Sequence, residues 1–266
     1  MSDLKKEATF LCSFHKTDSL FYEMIDSLLK QSYENFKVIL VNDIGQPVTF
    51  DSRYQTDNRV ALLHNPSNQG LIHSLNRGVV DIDSEYIARV DRGDICLPER
   101  LKEQVEYLEK NDLDIVGSYV EEIDEAGKIL RIVKPPLEHS KIVTALERYN
   151  CLVHSSILMK TEVIKKLGGY NERFQYAQDY DLYLRAIRAG CRFGVVDKIL
   201  TRRRVYRDST TRKKRKQQIL YASAALMMYY AAEERLTGTH ILRVCAHLSK
   251  ILIPQWMRSM RNRPIS

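Results

Sequence analysis

The chain has 266 residues, of which 44% are hydrophobic, and this is enough for one large domain or two small ones. Its five cysteines are odd in number and lack metal-ligand spacing, which predicts reduced thiols and argues against a disulfide framework or a zinc site. Residues 1–6 carry charges where a signal peptide has its apolar core, and no apolar run reaches the roughly 20 residues of a membrane-spanning helix. We therefore expect a cytoplasmic protein without a cleaved signal or a spanning helix.

The net charge of +7 is distributed unevenly along the chain. Residues 1–201 hold 26 Lys and Arg against 31 Asp and Glu, whereas residues 202–266 hold 15 against 3. Clusters of Lys and Arg can bind nucleic acid, anionic lipid or phosphorylated ligands. Nucleic acid is the least favoured, because the basic part lacks interleaved aromatic residues and any recognised binding motif.

Strands and helices are predicted to alternate along the first hundred residues. The segments 8–13 and 37–43 are apolar runs that end in polar side chains, and a helical pattern from Leu20 lies between them. Such a strand–helix–strand unit requires a parallel pair of strands. A third strand over 60–64 is followed by a helix, and residues 85–90 form a fourth strand. The pattern predicts an α/β fold with a doubly wound sheet and flanking helices.

The alternation continues to about residue 208. The further predicted elements are a helix over 101–111, a strand over 114–118, a hairpin over 121–133, a helix over 140–148, a strand over 155–159 and a helix over 179–189. We therefore predict a domain over 1–208 and a basic amphipathic helical extension over 209–266.

The extension has two faces at helical spacing. Ile241, Cys245, Leu248 and Leu252 share one face, and Arg243, His247 and Lys250 share another. A basic amphipathic helix of this kind can lie in a membrane interface. It can equally pack on the preceding domain and show its charges to water, and the sequence leaves both alternatives open.

Two carboxylates follow the fourth strand. Asp91 and Asp94 come directly after it, and Gly93 allows the chain to turn between them. In open α/β sheets, ligands bind outside the carboxyl ends of the strands, so these residues are candidates for holding a cation or a sugar hydroxyl. Alternatively, Asp94 only begins the turn into the next helix, whose start is marked by Pro98.

Several segments together resemble the family 2 glycosyltransferases, inverting enzymes of the GT-A fold. These segments are 27–33 with 36–43, 68–70 with 74–78, 88–101, 168–170 and 179–182. Each is weak alone, but their order and spacing cover residues 8–207 and leave the extension outside. The resemblance implies a nucleotide-diphospho-sugar transferase fold with a mostly parallel central sheet.

The resemblance also implies a binding site for a nucleotide-diphospho-sugar donor. The residues implied in donor binding are Ser13, His15, Asp43, Asn68, Gly70, Asp91 and Arg207. Asp43 would accept an N–H of the base, and Arg207 lies in a region that the resemblance places near the diphosphate. Asp91 and Asp94 would hold a divalent cation, Mn²⁺ or Mg²⁺, which bridges the diphosphate and stabilises its charge as it leaves. Gly93 stands where the family commonly has a metal-ligating aspartate, so the need for this cation stays open.

The catalytic base implied by the resemblance is Asp179. A sugar hydroxyl is a poor nucleophile until its proton is taken during attack on the anomeric carbon, and a carboxylate can take it. The alternative role, that of a helix N-cap, is compatible with the first. His154 and Asp181 would lie on the acceptor side, although a structural histidine with both ring nitrogens satisfied is the favoured interpretation of His154.

The function implied is inverting transfer of a sugar to a hydroxyl of a glycan or lipid-linked acceptor in cell-surface polysaccharide synthesis. The basic extension would keep the enzyme at the inner face of the cell membrane through anionic lipid. The alternative is a nucleotide-sugar-binding module of the same fold that has lost turnover, for which Gly93 is the best support.

Overall fold

The computed structural model describes residues 6–49, 51–206, 214–232 and 237–252. The strands are β1 (Ala8–Phe14), β2 (Phe36–Asn42), β3 (Val60–His64), β4 (Tyr86–Arg89), β5 (Ile95–Cys96), β6 (Ile115–Ile123), β7 (Ile129–Val133), β8 (Leu158–Lys160) and β9 (Phe193–Arg204). The helices are α1 (Ser19–Leu29), α2 (Ser52–Gln55), α3 (Leu71–Asp81), α4 (Arg100–Lys110), α5 (His139–Leu146), α6 (Thr161–Lys166), α7 (Gln178–Arg188), α8 (Arg215–Ala232) and α9 (Gly238–Ser249). A 3₁₀ turn covers His154–Ser156.

Within these ranges, nine strands form one central sheet in the order β3-β2-β1-β4-β8-β6-β9-β5, and β7 pairs with β6. The strands β3, β2, β1 and β4 are mutually parallel. The pairs β4–β8 and β8–β6 are antiparallel, and β6 then runs parallel to β9. The predicted α/β architecture with flanking helices is confirmed, and the sheet is parallel in its first half and mixed in its second.

The first strands are continuous apolar runs because both faces of the sheet are covered by helices. Along β1, Phe10 and Cys12 face a core cluster formed with α1 and α4, whereas Leu11 faces the opposite cluster. That second cluster contains residues of α3, α5, α7 and α8. The parallel arrangement brings the carboxyl ends of β1, β2 and β4 to the same edge of the sheet, where the candidate site lies.

Helix α8 belongs to this second core although it lies in the predicted extension. Leu226 is 1% exposed, and Tyr230 donates a hydrogen bond of 2.5 Å to the carbonyl of Glu147 at the end of α5. Helix α9 packs on α8 through Val244 and His247, whose Nδ1 lies 2.9 Å from Ser223 Oγ. The extension is therefore packed against the domain over α8 and α9.

The face that α9 buries differs from the one that the sequence pattern favours. His247, from the predicted charged face, is only 8% exposed, whereas Ile241 and Leu252, from the predicted apolar face, are 43% and 82% exposed. Helix α9 therefore packs on the rest of the protein, as one alternative holds, but it does so mainly through Val244 and His247, with Leu248 alone of the predicted apolar face packed against the core. None of the helices in the described ranges has the length and hydropathy needed to span a bilayer.

Candidate active site

The predicted donor residue Asp43 is buried and bound by the loop that follows β3. Its Oδ1 accepts hydrogen bonds from Asn65 Nδ2 and the Gln69 backbone N–H, both at 2.8 Å, and its Oδ2 accepts from the Gly70 N–H at 2.9 Å. The carboxylate thus holds the 65–70 loop against the end of β2. Gly70 has φ +87, and the neighbouring Asn68 is exposed at the rim.

The loop after β1 lies beside a basic side chain that the sequence analysis missed. Ser13 is partly buried and His15 is exposed, and both precede Asp18, which caps α1 by accepting from the Phe21 N–H. Arg92 Nη1 donates to Asp18 Oδ1 at 2.5 Å. Partial loss of hydration lowers the pKa of His15, and the charge of Arg92 adds to this shift.

Asp91 is paired with a buried arginine from its own strand. Arg89 is 1% exposed, and its Nη2 donates to Asp91 Oδ1 at 2.5 Å, while Nη1 donates to backbone carbonyls of Leu11 and Val90. The Asp91 side chain itself is 50% exposed. Loss of hydration within the crevice opposes its ionisation, but the Arg89 charge prevails and holds the pKa of Asp91 below its usual range.

Asp94 is buried at the end of the 91–94 turn, and β5, not a helix, follows it directly. It is 2% exposed, and its Oδ1 accepts from the Arg204 N–H at 2.9 Å, while Arg204 Nε donates to the Gly93 carbonyl at 3.1 Å. Burial, with the Asp91 charge as the next cause, raises the pKa of Asp94 to about 7. The side chain joins the 91–94 turn to the end of β9.

The basic run at the end of β9 is mostly occupied by ion pairs. Arg202 pairs with Glu121, Arg203 with Glu122 and Arg204 with Glu23. Arg207, the predicted diphosphate contact, lies outside the described residues, and its role stays a prediction.

Asp179 lies in the first turn of α7, whose N-cap is Ala177 with φ +56. The N-cap alternative for Asp179 is therefore wrong. Its Oδ2 accepts from Asn150 Nδ2 at 2.8 Å, and its Oδ1 accepts from the Tyr180 N–H at 2.9 Å. Burial raises the pKa of Asp179, these two hydrogen bonds oppose the shift, and the Asp91 charge adds to it. Asp91 and Asp179, from distant parts of the chain, are thus within electrostatic reach of each other.

The two residues predicted on the acceptor side are both held by internal contacts. His154 is buried, with Nδ1 2.7 Å from Tyr183 Oη and Nε2 2.9 Å from Tyr170 Oη, an arrangement typical of a structural histidine. Burial, with the nearby Arg89 charge, lowers its pKa to about 3. Asp181 is buried in an ion pair with Arg185 at 2.8 Å.

A known protein family matches this chain over a range that includes most of the site residues. The chain matches the family described as Glycosyl transferase family 2 over residues 11–168. The chain belongs to glycosyltransferase family 2.

Curated proteins with similar sequences are also named as glycosyltransferases. It is 32% identical over 206 residues to the O-antigen biosynthesis glycosyltransferase WbnJ of Escherichia coli, a match covering 75% of this chain and 80% of WbnJ. It is 31% identical over 201 residues to an uncharacterized glycosyltransferase of Methanocaldococcus jannaschii, covering 73% of this chain and 69% of that protein.

Solved structures of S. aureus TarS share the fold. TarS 1–349 in complex with UDP-GlcNAc superposes with a TM-score of 0.62 at 15% identity, covering 83% of this chain and 66% of TarS. A second structure of TarS 1–349 gives a TM-score of 0.61 at 15% identity, covering 82% of this chain and 65% of that one. At this identity the likeness supports the GT-A fold alone.

Family 2 enzymes generally use a divalent cation, but the residues of this chain do not fit one held by the protein. Mg²⁺ at a phosphate site is usually held by one or two protein carboxylates together with waters and substrate phosphates. Asp91 keeps one exposed oxygen beside its bond to Arg89, Asp94 is 2% exposed with one oxygen bound by the Arg204 N–H, and Gly93 has no side chain, so this segment offers a single accessible ligand. In the described part of the chain, no group of three or more His, Cys, Asp or Glu side chains could hold a metal ion.

Gly93 contributes no carboxylate, and Tyr206 occupies the space beside it. Its φ is +88, and a Cβ added there would lie 2.2 Å from Tyr206 Oη. An aspartate at this position could not be accommodated unless Tyr206 moved. The Tyr206 phenol therefore occupies the space that a side chain at position 93 would need.

Sequence reasoning missed the partners of the predicted carboxylates, which are Asn65, Arg89, Asn150 and the Arg204 N–H. It also missed Arg92, which binds Asp18, and Tyr206, which fills the space beside Gly93. Most act across long sequence separations, so no local pattern identifies them; only Arg89, two residues before Asp91, offered a local signal.

The packing of Tyr206 against Gly93 can be tested by unfolding. Gly93→Ala should destabilise the protein more than Gly127→Ala, although both glycines have similar positive φ, +88 and +86, and each alanine costs about 1–2 kcal/mol in backbone strain. The difference arises because an added Cβ at Gly127 meets no described atom within 4 Å. Urea denaturation of both variants measures it.

Tyr206→Phe provides the control. It removes Oη, and the next ring atom, Cζ, lies 3.5 Å from the added Cβ, which is an ordinary contact. In this background, Gly93→Ala and Gly127→Ala should cost nearly the same free energy. A difference that persisted unchanged would contradict the assignment of Tyr206 to this space.

Proposed function

We propose that this protein is an inverting glycosyltransferase that moves a sugar from a nucleotide-diphosphate donor to a hydroxyl of a glycan or lipid-linked acceptor. The observation that carries the proposal is the approach of Asp179 to Asp91 at one edge of the sheet, with Asp179 oriented by Asn150. Asp91 follows β4 at the edge where the donor loops lie, and Asp179 comes from the first turn of α7 within electrostatic reach of it. A sugar between them would have its leaving group and its attacking hydroxyl on opposite sides.

Asp179 acts as the base in this proposal. The acceptor oxygen attacks the anomeric carbon, its proton passes to an Asp179 oxygen, and the electron pair of the breaking bond stays on the diphosphate. One displacement of this kind inverts the anomeric configuration. A carboxylate with a raised pKa binds a proton more readily than an ordinary aspartate, which suits general-base catalysis.

The donor loops support binding of a nucleotide. Asp43 orders the 65–70 loop through two backbone N–H groups, and Ser13 and His15 border the same edge of the sheet. We assign the nucleotide to the space between these loops, with Asn68 at its rim. The same assignment suits a binding module without turnover, and the substitution of Asp179 described below separates the two functions.

Cell-surface polysaccharide synthesis is the setting that we infer. WbnJ, which this chain resembles over most of its length, is named for O-antigen biosynthesis. The glycan or lipid-linked acceptor of such a pathway would be met at the cytoplasmic face of the membrane.

The exposed faces of α8 and α9 support contact with an anionic membrane. Residues 217–232 contain no charged side chain, yet α8 exposes Leu220, Met227 and Met228, which are 51%, 39% and 55% exposed and follow one helical stripe. Lys216, one turn before the stripe, is exposed as well, and residues 202–266 carry a large excess of Lys and Arg. An apolar stripe with basic flanks matches the chemistry of an anionic bilayer surface.

Replacing Asp179 should abolish transfer. Asp179→Asn keeps the shape of the side chain but cannot accept the proton, so kcat should fall by about 10²- to 10⁴-fold. A panel of nucleotide sugars with a glycan acceptor provides the assay, and NMR of the product gives its anomeric configuration. Asp83→Asn is the matched control, because that side chain is 99% exposed and remote. Full activity of Asp179→Asn, or a retained configuration, would contradict the mechanism.

Asn150→Ala should shift the acid limb of the pH dependence of kcat/KM. The Asn150 amide donates to Asp179 and so favours the charged carboxylate. Its loss should raise the pKa of Asp179 further, and because the base must be deprotonated, kcat/KM should then require a higher pH. The pH dependence of kcat/KM measures the shift, with Asn111→Ala at the exposed end of α4 as control. An unchanged acid limb would show that Asn150 does not tune the base.

Membrane contact should depend on the α8 stripe. The full chain should sediment with vesicles that contain phosphatidylglycerol, and less so at high salt, because exposed charges are screened over about 8 Å at physiological ionic strength. A Leu220→Glu, Met228→Glu double variant should lose at least tenfold in binding. Val80→Glu, at a 74% exposed position of α3, should bind normally. Equal binding by all three proteins would exclude this surface.

A further inference from the structure

Tyr206 fills the space beside Gly93 and also contacts the positively charged side chain of Arg92. The Arg92 guanidinium lies over the Tyr206 ring, 5.6 Å from its centroid, and Tyr206 Oη donates to the Arg92 carbonyl at 3.4 Å. Arg92 lies within the turn that connects Asp91 to Asp94, and Tyr206 packs beside that turn. A phenol thus fills the space beside Gly93, and a guanidinium packs on that phenol.

Arg92 is nearly buried but retains donor capacity. Its side chain is 9% exposed, and among the described residues it donates to Asp18 alone, through Nη1. A guanidinium has five N–H groups, so Nε and Nη2 are left for a further acceptor. Phosphate oxygens are suitable acceptors, because the planar fork of arginine matches them in pairs.

The charge around Arg92 favours an anion. Asp18 is shared by two cations, since Lys16 Nζ lies 3.2 Å from Asp18 Oδ2 while Arg92 pairs with Oδ1. This group carries one net positive charge beside His15. Asp91, the carboxylate that precedes Arg92 in the chain, is paired with the buried Arg89. A diphosphate at this position would therefore meet little repulsion.

We propose that Arg92, positioned by Tyr206, stabilises the leaving nucleoside diphosphate in the role that a divalent cation serves generally in the family. The inference rests on the proposed function. As the bond between the anomeric carbon and the diphosphate oxygen breaks, its electron pair stays on that oxygen, and Arg92 donates hydrogen bonds to the added charge. Arg92 keeps its proton throughout, and the proton of the acceptor hydroxyl goes to Asp179.

The first test measures transfer with and without metal ions. With a nucleotide sugar that the wild-type chain turns over, the rate in EDTA should stay within about twofold of the rate with added Mn²⁺ or Mg²⁺. Arg92→Gln should lower kcat by about 10²- to 10³-fold, the usual cost of removing one such donor, and Arg92→Lys should recover part of it. Activity lost in EDTA and restored by Mn²⁺, or a wild-type kcat for Arg92→Gln, would overturn the proposal.

The control is Arg59→Gln, because Arg59 has the same kinds of contacts away from the site. It pairs with Asp57 at 2.8 Å and lies 5.0 Å from the centroid of the Phe36 ring. Arg59→Gln should keep the wild-type kcat. Thermal unfolding of all three variants establishes whether they are folded.

A binding measurement separates failure of this inference from failure of the proposed function. Calorimetry with UDP, GDP and TDP should give a dissociation constant that EDTA does not change and that Arg92→Gln raises at least tenfold. Binding that required Mn²⁺, or that Arg92→Gln left intact, would contradict the role of Arg92. If the wild-type chain binds one of these diphosphates in EDTA but transfers no sugar, the transferase proposal fails and the assignment of Arg92 to the diphosphate stands.

Discussion

The pair formed by the Arg89 guanidinium and the Asp91 carboxylate is the interaction on which the rest of the site depends. Arg89 is 1% exposed, and a buried charge must be paired and hydrogen-bonded to be tolerated. It is held at the sheet edge by the carbonyls of Leu11 and Val90, and its own carbonyl accepts from the buried Arg100 at 2.8 Å. Asp91 is thereby fixed with one oxygen toward the protein and the other free for the crevice.

The same buried charge sets the chemistry of its neighbours. It lowers the pKa of Asp91 and, together with burial, that of His154, so the imidazole is neutral and can bridge Tyr170 and Tyr183 by hydrogen bonds. Asp179, further along the crevice, is subject to the Asp91 charge and to burial, and its pKa is raised. Asp91 is thus kept ionised, whereas Asp179 accepts a proton more readily.

Much of the fold could be predicted because its signals are local. The strands β1 and β2 are buried on both faces and show up as unbroken apolar runs, and the helices between them have one apolar stripe. The faces of α9 could not be predicted, because apolar residues lie on both sides of this helix and only contact with α8 selects Val244 for burial. The mixed half of the sheet depends on pairings between strands far apart in the chain, for which the sequence carries no local signal.

The candidate site was predictable where a residue follows a strand or opens a helix, as with Asp43, Asp91 and Asp179. Asp181 was predicted beside Asp179, yet two residues along a helix point to nearly opposite faces, and the spacing to Arg185 at i+4 already indicated an ion pair. Asn150 and Tyr206 reach the site from 29 and more than 100 residues away, so only the structure identifies them.

The central claim is that these side chains surround one donor, and a crystal structure of the protein with a bound nucleoside diphosphate tests it most directly. The account predicts the base between the 13–18 and 65–70 loops, the diphosphate on the Arg92 guanidinium, and open space for a sugar between the diphosphate and Asp179. A diphosphate bound elsewhere, or Asp179 separated from it by protein atoms, would contradict the account.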